Sequence, residues 1–144
     1  MIAIDTNILV YAHRNDLPEH PACAATVDGA LAGVEQVAIC WPVVHEFVAV
    51  VTNPRVFRTP TPVALAWDQI EHWLASPRAT VLGESRAHLA TMRLLVEESG
   101  VVGGAIHDAR IAAMCIDSGV RELLTADRDF TRFPGLRVRN PLAT

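Results

Sequence analysis

Lysine is absent from this chain of 144 residues, and all 12 of its basic residues are arginine. A nucleotide-binding P-loop needs a lysine directly after its last glycine, and a phospho-receiver domain needs one beside its acidic pocket. A Schiff-base enzyme needs a lysine amine as its nucleophile. The sequence therefore excludes these three classes of protein.

Cysteine and long apolar segments are also scarce. The three cysteines, Cys23, Cys40 and Cys115, lie far apart and form no Cys-x-x-Cys pair for zinc binding or redox chemistry. We expect them to be reduced core residues. No apolar segment approaches the roughly 18 residues of a membrane-spanning helix. Because Asp5 interrupts the apolar N-terminus, a secretion signal is not expected either, and the predicted location is the cytoplasm.

The chain does contain enough apolar sequence for a core. Hydrophobic residues make up 51% of the sequence, which predicts one globular domain over residues 1–144. Short apolar runs, typical of buried parallel strands, alternate with amphipathic helical segments. This alternation predicts an α/β fold, a three-layer sandwich with a short central parallel sheet of about five strands. The predicted strands cover 2–5, 37–40, 79–82, 122–125 and 136–139, and the predicted helices cover 7–14, 21–31, 42–52, 62–75, 85–99 and 106–117.

Four acidic residues fall where the predicted sheet would have its functional edge, because ligands of open parallel sheets bind at the carboxyl ends of the strands. Asp5 ends the first strand, and Asp127 lies two residues after the fourth strand. Glu46 lies in the first half of the helix that follows strand two. Asp108 lies near the start of the helix that leads into strand four, and that start belongs at the same edge. We therefore expect the four carboxylates to converge.

Each carboxylate also has a simpler structural explanation. Asp5 could cap the first helix, and Asp127 could serve the turn after its strand, with Asp129 equally eligible. Asp108 could be a first-turn acid that the helix dipole stabilises. Glu46 is harder to explain, because its helix is apolar around it and it lies too far from the helix start for a capping box. A carboxylate among apolar neighbours is costly unless something pairs with it.

Four carboxylates that share a pocket, with neither a lysine nor a committed arginine, would repel one another and raise the pKa of at least one. A hard divalent cation, Mg²⁺ or Mn²⁺, removes this conflict, since it prefers oxygen ligands and accepts a phosphate oxygen in an open position. Such a centre can hydrolyse a phosphodiester. Without these four, 12 of the 16 acids remain to balance 12 arginines. Arginine patches could thus hold RNA around an acidic centre.

Five segments resemble one known family, the PIN-domain ribonucleases, and more narrowly the mycobacterial VapC toxins of VapBC toxin–antitoxin pairs. The segments are residues 4–12 (IDTNILVYA), 52–57 (TNPRVF), 107–113 (HDARIAA), 125–130 (TADRDF) and 133–142 (FPGLRVRNPL), together with Glu46 in its apolar helix. The resemblance covers nearly the whole chain, and the order and spacing of the segments make it specific.

The resemblance implies a site, a cofactor and partners. The site is an acidic quartet of Asp5, Glu46, Asp108 and Asp127, with Asp5 and Asp108 as the principal Mg²⁺ ligands and Asp129 as the alternative fourth acid. Mn²⁺ could replace Mg²⁺. A homodimer is implied, as is a VapB-like antitoxin whose C-terminal segment occupies the active-site groove.

These observations predict a Mg²⁺-dependent endoribonuclease that acts as the toxin of a type II toxin–antitoxin pair. A metal-activated water would attack phosphorus in line and leave 5′-phosphate and 3′-hydroxyl ends. The same pocket would permit a metal-dependent DNA nuclease or phosphatase. A noncatalytic partner-binding module, whose acids dock an arginine from another protein, is the alternative from another class.

One loop could contribute to RNA binding. Arg55 and Arg58 could contact phosphates and Phe57 could stack on a base. The alternative is a structural connector in which Phe57 packs on the core.

Overall fold

A computed structural model describes residues 1–143 and contains one sheet of five parallel strands. The strands are β1 (Ile2–Ile4), β2 (Val37–Cys40), β3 (Ala79–Leu82), β4 (Glu122–Leu124) and β5 (Val138–Arg139). The helices are α1 (Thr6–His13), α2 (His20–Leu31), α3 (Trp41–Val51), α4 (Val63–Leu74), α5 (His88–Ser99) and α6 (Ala105–Asp117). A short 3₁₀ helix covers Arg128–Arg132.

The strand order β3-β2-β1-β4-β5 determines where the helices lie. From β1 the chain moves outward to β2 and β3, and it then returns across the sheet to β4, on the other side of β1. Because crossovers between parallel strands are right-handed, α1 to α4 lie on one face and α5 and α6 on the other. Accordingly, α1 packs against α2 and α3, whereas α5 packs against α6. The predicted three-layer α/β sandwich is confirmed.

The reversal of direction creates a crevice at the carboxyl ends of β1 and β4, the place where open α/β sheets bind ligands. Ile4 and Leu124, the last residues of these strands, are partners in the sheet. The backbone N–H of Asp5 donates to the carbonyl of Leu124 at 2.9 Å. The segments that leave β1 and β4 therefore start side by side, although they are far apart in sequence.

The core is built mainly from the strands and the inward faces of the helices. Every residue of β1, β2 and β4 is buried. Cys23, Cys40 and Cys115 are buried and free, as expected. Among residues 1–143, no helix is long and apolar enough to cross a membrane.

Some predicted boundaries were wrong by a few residues. Helix α5 begins at His88 rather than at Ser85, because the Ser85 hydroxyl accepts from the Ala87 N–H and donates to Asp117, which fixes a turn. Helix α4 begins one residue later than predicted, at Val63. Strand β5 has two residues instead of four, and the 3₁₀ helix was not predicted.

Candidate functional site

A cavity of about 470 Å³ opens at the carboxyl ends of β1 and β4. All four acids of the predicted quartet line this cavity, although they come from four separate parts of the chain. The lining residues are Asp5, Thr6, Asn7, Val10, Tyr11, Leu17, Glu46, Val50, Val56, Phe57, Asp108, Ile111, Asp127 and Phe130. The structure thus brings the predicted site residues together and adds an apolar wall beside them.

Asp5 lies at the base of the cavity and is 5% exposed. It is the N-cap of α1, and its Oδ1 accepts from the Thr6 N–H at 2.8 Å. Burial raises the pKa of Asp5 from 3.8 to about 6, the bonds from Thr125 and Thr6 oppose that rise, and the nearby Glu46 and Asp108 charges add to it. The capping explanation of Asp5 is therefore correct, and the cap is compatible with a place in the site.

Two polar residues that the sequence analysis did not single out hold Asp5 in place. The Thr125 hydroxyl donates to Asp5 Oδ2 at 2.7 Å and accepts from the Asp127 N–H at 3.0 Å. The Asn7 amide donates to Asp5 Oδ2 and to Thr125 Oγ1, each at 3.2 Å, and its oxygen accepts from the Ala126 N–H at 3.1 Å. This network ties the start of α1 to the end of β4. Both residues lie at or near predicted strand ends and within the two segments, 4–12 and 125–130, that carry the family resemblance.

Glu46 lies on the second turn of α3, at the cavity rim, and is solvent-exposed there. Desolvation by the surrounding residues raises its pKa, and the charge of Asp108 adds to the rise, whereas Thr6 and His107 oppose it. Its position beyond the first turn agrees with the prediction that it is not a helix cap. Glu46 therefore contributes negative charge to the cavity rather than stability to α3.

Asp108, Asp127 and Asp129 form a compact acidic group. Each offers one carboxylate oxygen that lies within 4.8 Å of the others. Burial raises the pKa of Asp108, and the charges of Asp127 and Asp129 add to this rise. Asp127 also accepts the Asp129 N–H at 2.9 Å and so caps the 3₁₀ helix. Both candidates for the fourth acid therefore adjoin Asp108, and of the two only Asp127 lines the cavity.

Residues 2–136 match the family model described as the PIN domain. The chain belongs to the PIN-domain family. It is 37% identical over 142 residues to the VapC ribonuclease Mb2897 of Mycobacterium bovis, a match that covers 99% of this chain and 96% of the relative. This places the PIN domain among the VapC proteins, as the sequence segments indicated.

Two solved structures share the fold of this PIN domain. VapBC2 from Rickettsia felis, solved with a DNA fragment from their promoter, gives a TM-score of 0.70 at 22% identity and covers 97% of this chain and 98% of its own. VapC20 of Mycobacterium tuberculosis, described as a sarcin-ricin loop cleaving toxin, gives a TM-score of 0.67 at 18% identity. The match covers 95% of this chain and 99% of VapC20. These similarities extend over almost the entire PIN domain.

An arginine lies beside the acids, contrary to the expectation of a site without a committed arginine. Arg132, the last residue of the 3₁₀ helix, places its Nη2 3.7 Å from Asp108 Oδ2 and 3.5 Å from Asp129 Oδ2. Arg132 lies three residues after Asp129, and this spacing predicts a contact between them only if the segment is helical. The sequence analysis did not predict that helix. The PIN domain therefore carries one positive charge next to its acidic group.

The donor set of this PIN domain fits a hard divalent cation. All the acids offer oxygen, and Asp108, Asp127 and Asp129 are close enough to share one ion. The Thr6 hydroxyl, in a residue only 4% exposed, lines the same cavity close to Glu46 but makes no hydrogen bond of good geometry to any described residue. A buried hydroxyl of this kind normally binds a water or an ion. The residues present therefore suit Mg²⁺ or Mn²⁺ with several waters.

The rest of the cavity wall is largely apolar, and it includes Phe57 from the loop that was predicted to contribute to RNA binding. Phe57 is buried, contributes to the cavity wall, and carries the Arg14 guanidinium 4.1 Å above its ring. Phe57 therefore packs on the core, as in the alternative interpretation that the loop is a structural connector. Arg55 and Arg58 are exposed, so the structure leaves both free to meet solvent or a ligand.

Proposed function

We propose that this PIN domain is a Mg²⁺-dependent endoribonuclease and acts as the toxin of a type II toxin–antitoxin pair. The observation that carries the proposal is the convergence of Asp5, Glu46, Asp108 and Asp127 on one cavity at the crevice between β1 and β4. The ribonuclease name of a relative 37% identical over nearly the full chain supports it.

The proposed site assigns a task to each acid. Asp5 and Asp108 are the proposed principal ligands of the cation, and Glu46 and Asp127 complete the set around the cavity. Asp129 adjoins Asp108 and Asp127, and its carboxylate could share the same ion. A Mg²⁺ or Mn²⁺ ion held there would supply Lewis-acid stabilisation of a phosphodiester and would activate a water for its hydrolysis. Asp5 is kept in one orientation by its bonds from the Thr6 N–H and the Thr125 hydroxyl.

Glu46 lines the same cavity from the second turn of α3. With its pKa raised by desolvation, it holds a proton more readily than an ordinary glutamate. It can therefore accept a proton from water that enters the cavity at the rim. This gives Glu46 a role that depends on its protonation state as well as on its charge.

The proposal includes partners. RNA is the substrate, and a VapB-like antitoxin is the protein partner, since relatives are described as VapC ribonucleases and as members of VapBC complexes. A homodimer, a cytoplasmic location and a single domain over residues 1–144 complete the proposed picture. The net charge of −4 is the charge of the acidic quartet, so the remaining charges balance and do not oppose RNA binding.

Comparison of the wild type with Asp108→Asn tests the proposal. Both proteins are incubated with total RNA in Mg²⁺, and the new 5′ ends are sequenced and tested for a terminal phosphate. We expect the wild type to produce discrete 5′-phosphate ends and Asp108→Asn to produce none while keeping its circular dichroism spectrum. Asp68→Asn, which changes an exposed acid of α4, is the matched control and should cleave normally.

Three results would contradict the proposal. Full activity of Asp108→Asn would remove Asp108 from the reaction, and 2′,3′-cyclic phosphate ends would exclude hydrolysis by an activated water. Cleavage of DNA but not RNA would favour a DNA nuclease on the same site.

A further inference from the structure

We propose that Arg132 binds a phosphate of the RNA at the acidic site and so takes part in substrate binding, an inference that rests on the proposed ribonuclease function. Among the described residues, Arg132 is the only arginine within 4.0 Å of any acid of the quartet or of Asp129. Its side chain is 35% exposed, so a ligand in solution can reach the guanidinium.

The geometry of Arg132 differs from that of a closed ion pair. Its distances of 3.7 Å to Asp108 and 3.5 Å to Asp129 are too long for good hydrogen bonds. The described residues offer its guanidinium no acceptor within hydrogen-bond geometry. By contrast, Arg14 donates three close bonds to Asp16 and the carbonyl of Thr59, between 2.6 and 2.9 Å. Arg132 thus keeps donors available for a ligand.

Two neighbouring features place Arg132 beside Asp108. It ends the 3₁₀ helix that Asp127 caps, and its guanidinium lies 5.7 Å from the centre of the buried Phe133 ring. The cap and the ring keep the arginine next to Asp108 without neutralising it in a tight pair. Such an arrangement is expected of a binding group and is unnecessary for a structural counter-charge.

The chemistry of the substrate calls for a cation at this place. A phosphate that enters the cavity meets several carboxylates, and a single divalent ion does not cancel all of their charge. A guanidinium presents parallel N–H donors that match two phosphate oxygens, and it stays charged at any physiological pH. Arg132 would therefore leave its long contacts with Asp108 and Asp129 and donate to the phosphate instead.

Salt-dependent RNA binding distinguishes this role from a structural one. The probe is a labelled single-stranded RNA of random sequence and 20 nucleotides, with Ca²⁺ in place of Mg²⁺ and a gel to verify that the RNA stays intact. We expect Arg132→Gln to bind about tenfold more weakly than the wild type. The slope of log affinity against log salt should fall by about 0.7, the value for one phosphate contact on a single strand.

Two further variants sharpen the experiment. Arg128→Gln removes the same charge from the exposed start of the same 3₁₀ helix and should leave affinity and slope unchanged. Arg132→Lys keeps the charge but loses the planar donors, so it should retain the slope and recover only part of the affinity.

A second readout monitors the metal site without RNA. Calorimetric titration with Mn²⁺ should show equal or tighter binding to Arg132→Gln, because a positive charge beside the ligands has been removed. A loss of Mn²⁺ affinity would mean that Arg132 only holds the acids in place, and this would overturn the inference. So would an unchanged salt slope in Arg132→Gln, or an equal change in Arg128→Gln. If the wild type binds no RNA, the proposed function itself fails.

Discussion

The buried carboxylate of Asp5 should make the metal-free protein less stable as pH rises. Burial raises the pKa of Asp5 in the folded protein to about 6, whereas in the unfolded chain it returns to 3.8. Between these values the folded state holds a proton that the unfolded state has released, so the free energy of unfolding falls as pH increases. The pKa values of Glu46 and Asp108 are raised as well, and their effect has the same sign.

The size of the effect follows from the pKa of Asp5. At pH 7, ionisation of Asp5 lowers the free energy of unfolding by about 3 kcal/mol in total. About 2 kcal/mol of this decrease develops between pH 4.5 and pH 7. For a chain of this size that loss corresponds to a decrease of about 4–8 °C in melting temperature. Glu35, Asp16 and Glu84 have lowered pKa values and contribute the opposite trend, which fades above their unfolded pKa values and is nearly complete by about pH 5.5. The fall in stability between pH 5.5 and pH 7 therefore reports mainly on the acidic site.

Asp5→Asn tests this reasoning in thermal melts with a chelator at pH 4.5, 5.5, 6.5 and 7. The variant should lose most of the pH dependence. At pH 7 the variant should be more stable than the wild type by about 1 kcal/mol rather than 3. The gain is smaller because the new side-chain NH₂ would face the Asn7 NH₂, and two donors cannot bond to each other. Asp68→Asn should follow the wild type. At pH 7, Mn²⁺ should stabilise the wild type more than Asp5→Asn, since binding to the folded state alone raises stability.

The reasoning is refuted if the chelated wild type is at least as stable at pH 7 as at pH 5.5. It is also refuted if Asp5→Asn keeps the same dependence on pH. Either result would mean that the Asp5 carboxylate ionises in the folded protein without a penalty, and that the cavity is better solvated than its burial indicates.

Three further predictions follow. Thr125→Val should destabilise the protein by about 1–3 kcal/mol in denaturant melts and raise the pKa of Asp5 further, because a buried hydroxyl that donates to the carboxylate is lost; unchanged stability would contradict the proposed network. The double variant Arg55→Ala/Arg58→Ala should reduce the salt slope of RNA binding by about 1.4 if both exposed arginines contact phosphates, and an unchanged slope would remove the loop from the RNA site. Glu46→Gln should weaken the complex with the antitoxin, and Mn²⁺ should compete with antitoxin binding, as measured by calorimetry; indifference to both would place the antitoxin contact elsewhere.

The local pattern of the sequence determined the elements and the edge at which the acids gather. Strands β2 and β3 have the predicted bounds, because short, mainly apolar runs between polar turns can be recognised without long-range information. Asp5 follows a strand, and Glu46 is an unexplained carboxylate in an apolar helix; both facts can be read from a few neighbouring residues. A parallel sheet then gathers such residues at one edge, whatever the order of its strands.

The tertiary structure decided which of these residues touch. Nothing local places β4 beside β1, yet that pairing brings the Thr125 hydroxyl to Asp5 across 120 residues. It also decided that Asp129 joins Asp127 near Asp108 and that Arg132 lies next to them, because a 3₁₀ helix packs against α6. Strand order and helix packing result from burial of the core as a whole. Spacing along the chain can therefore predict which residues reach the edge of the sheet, but their distances and pKa values depend on the completed fold.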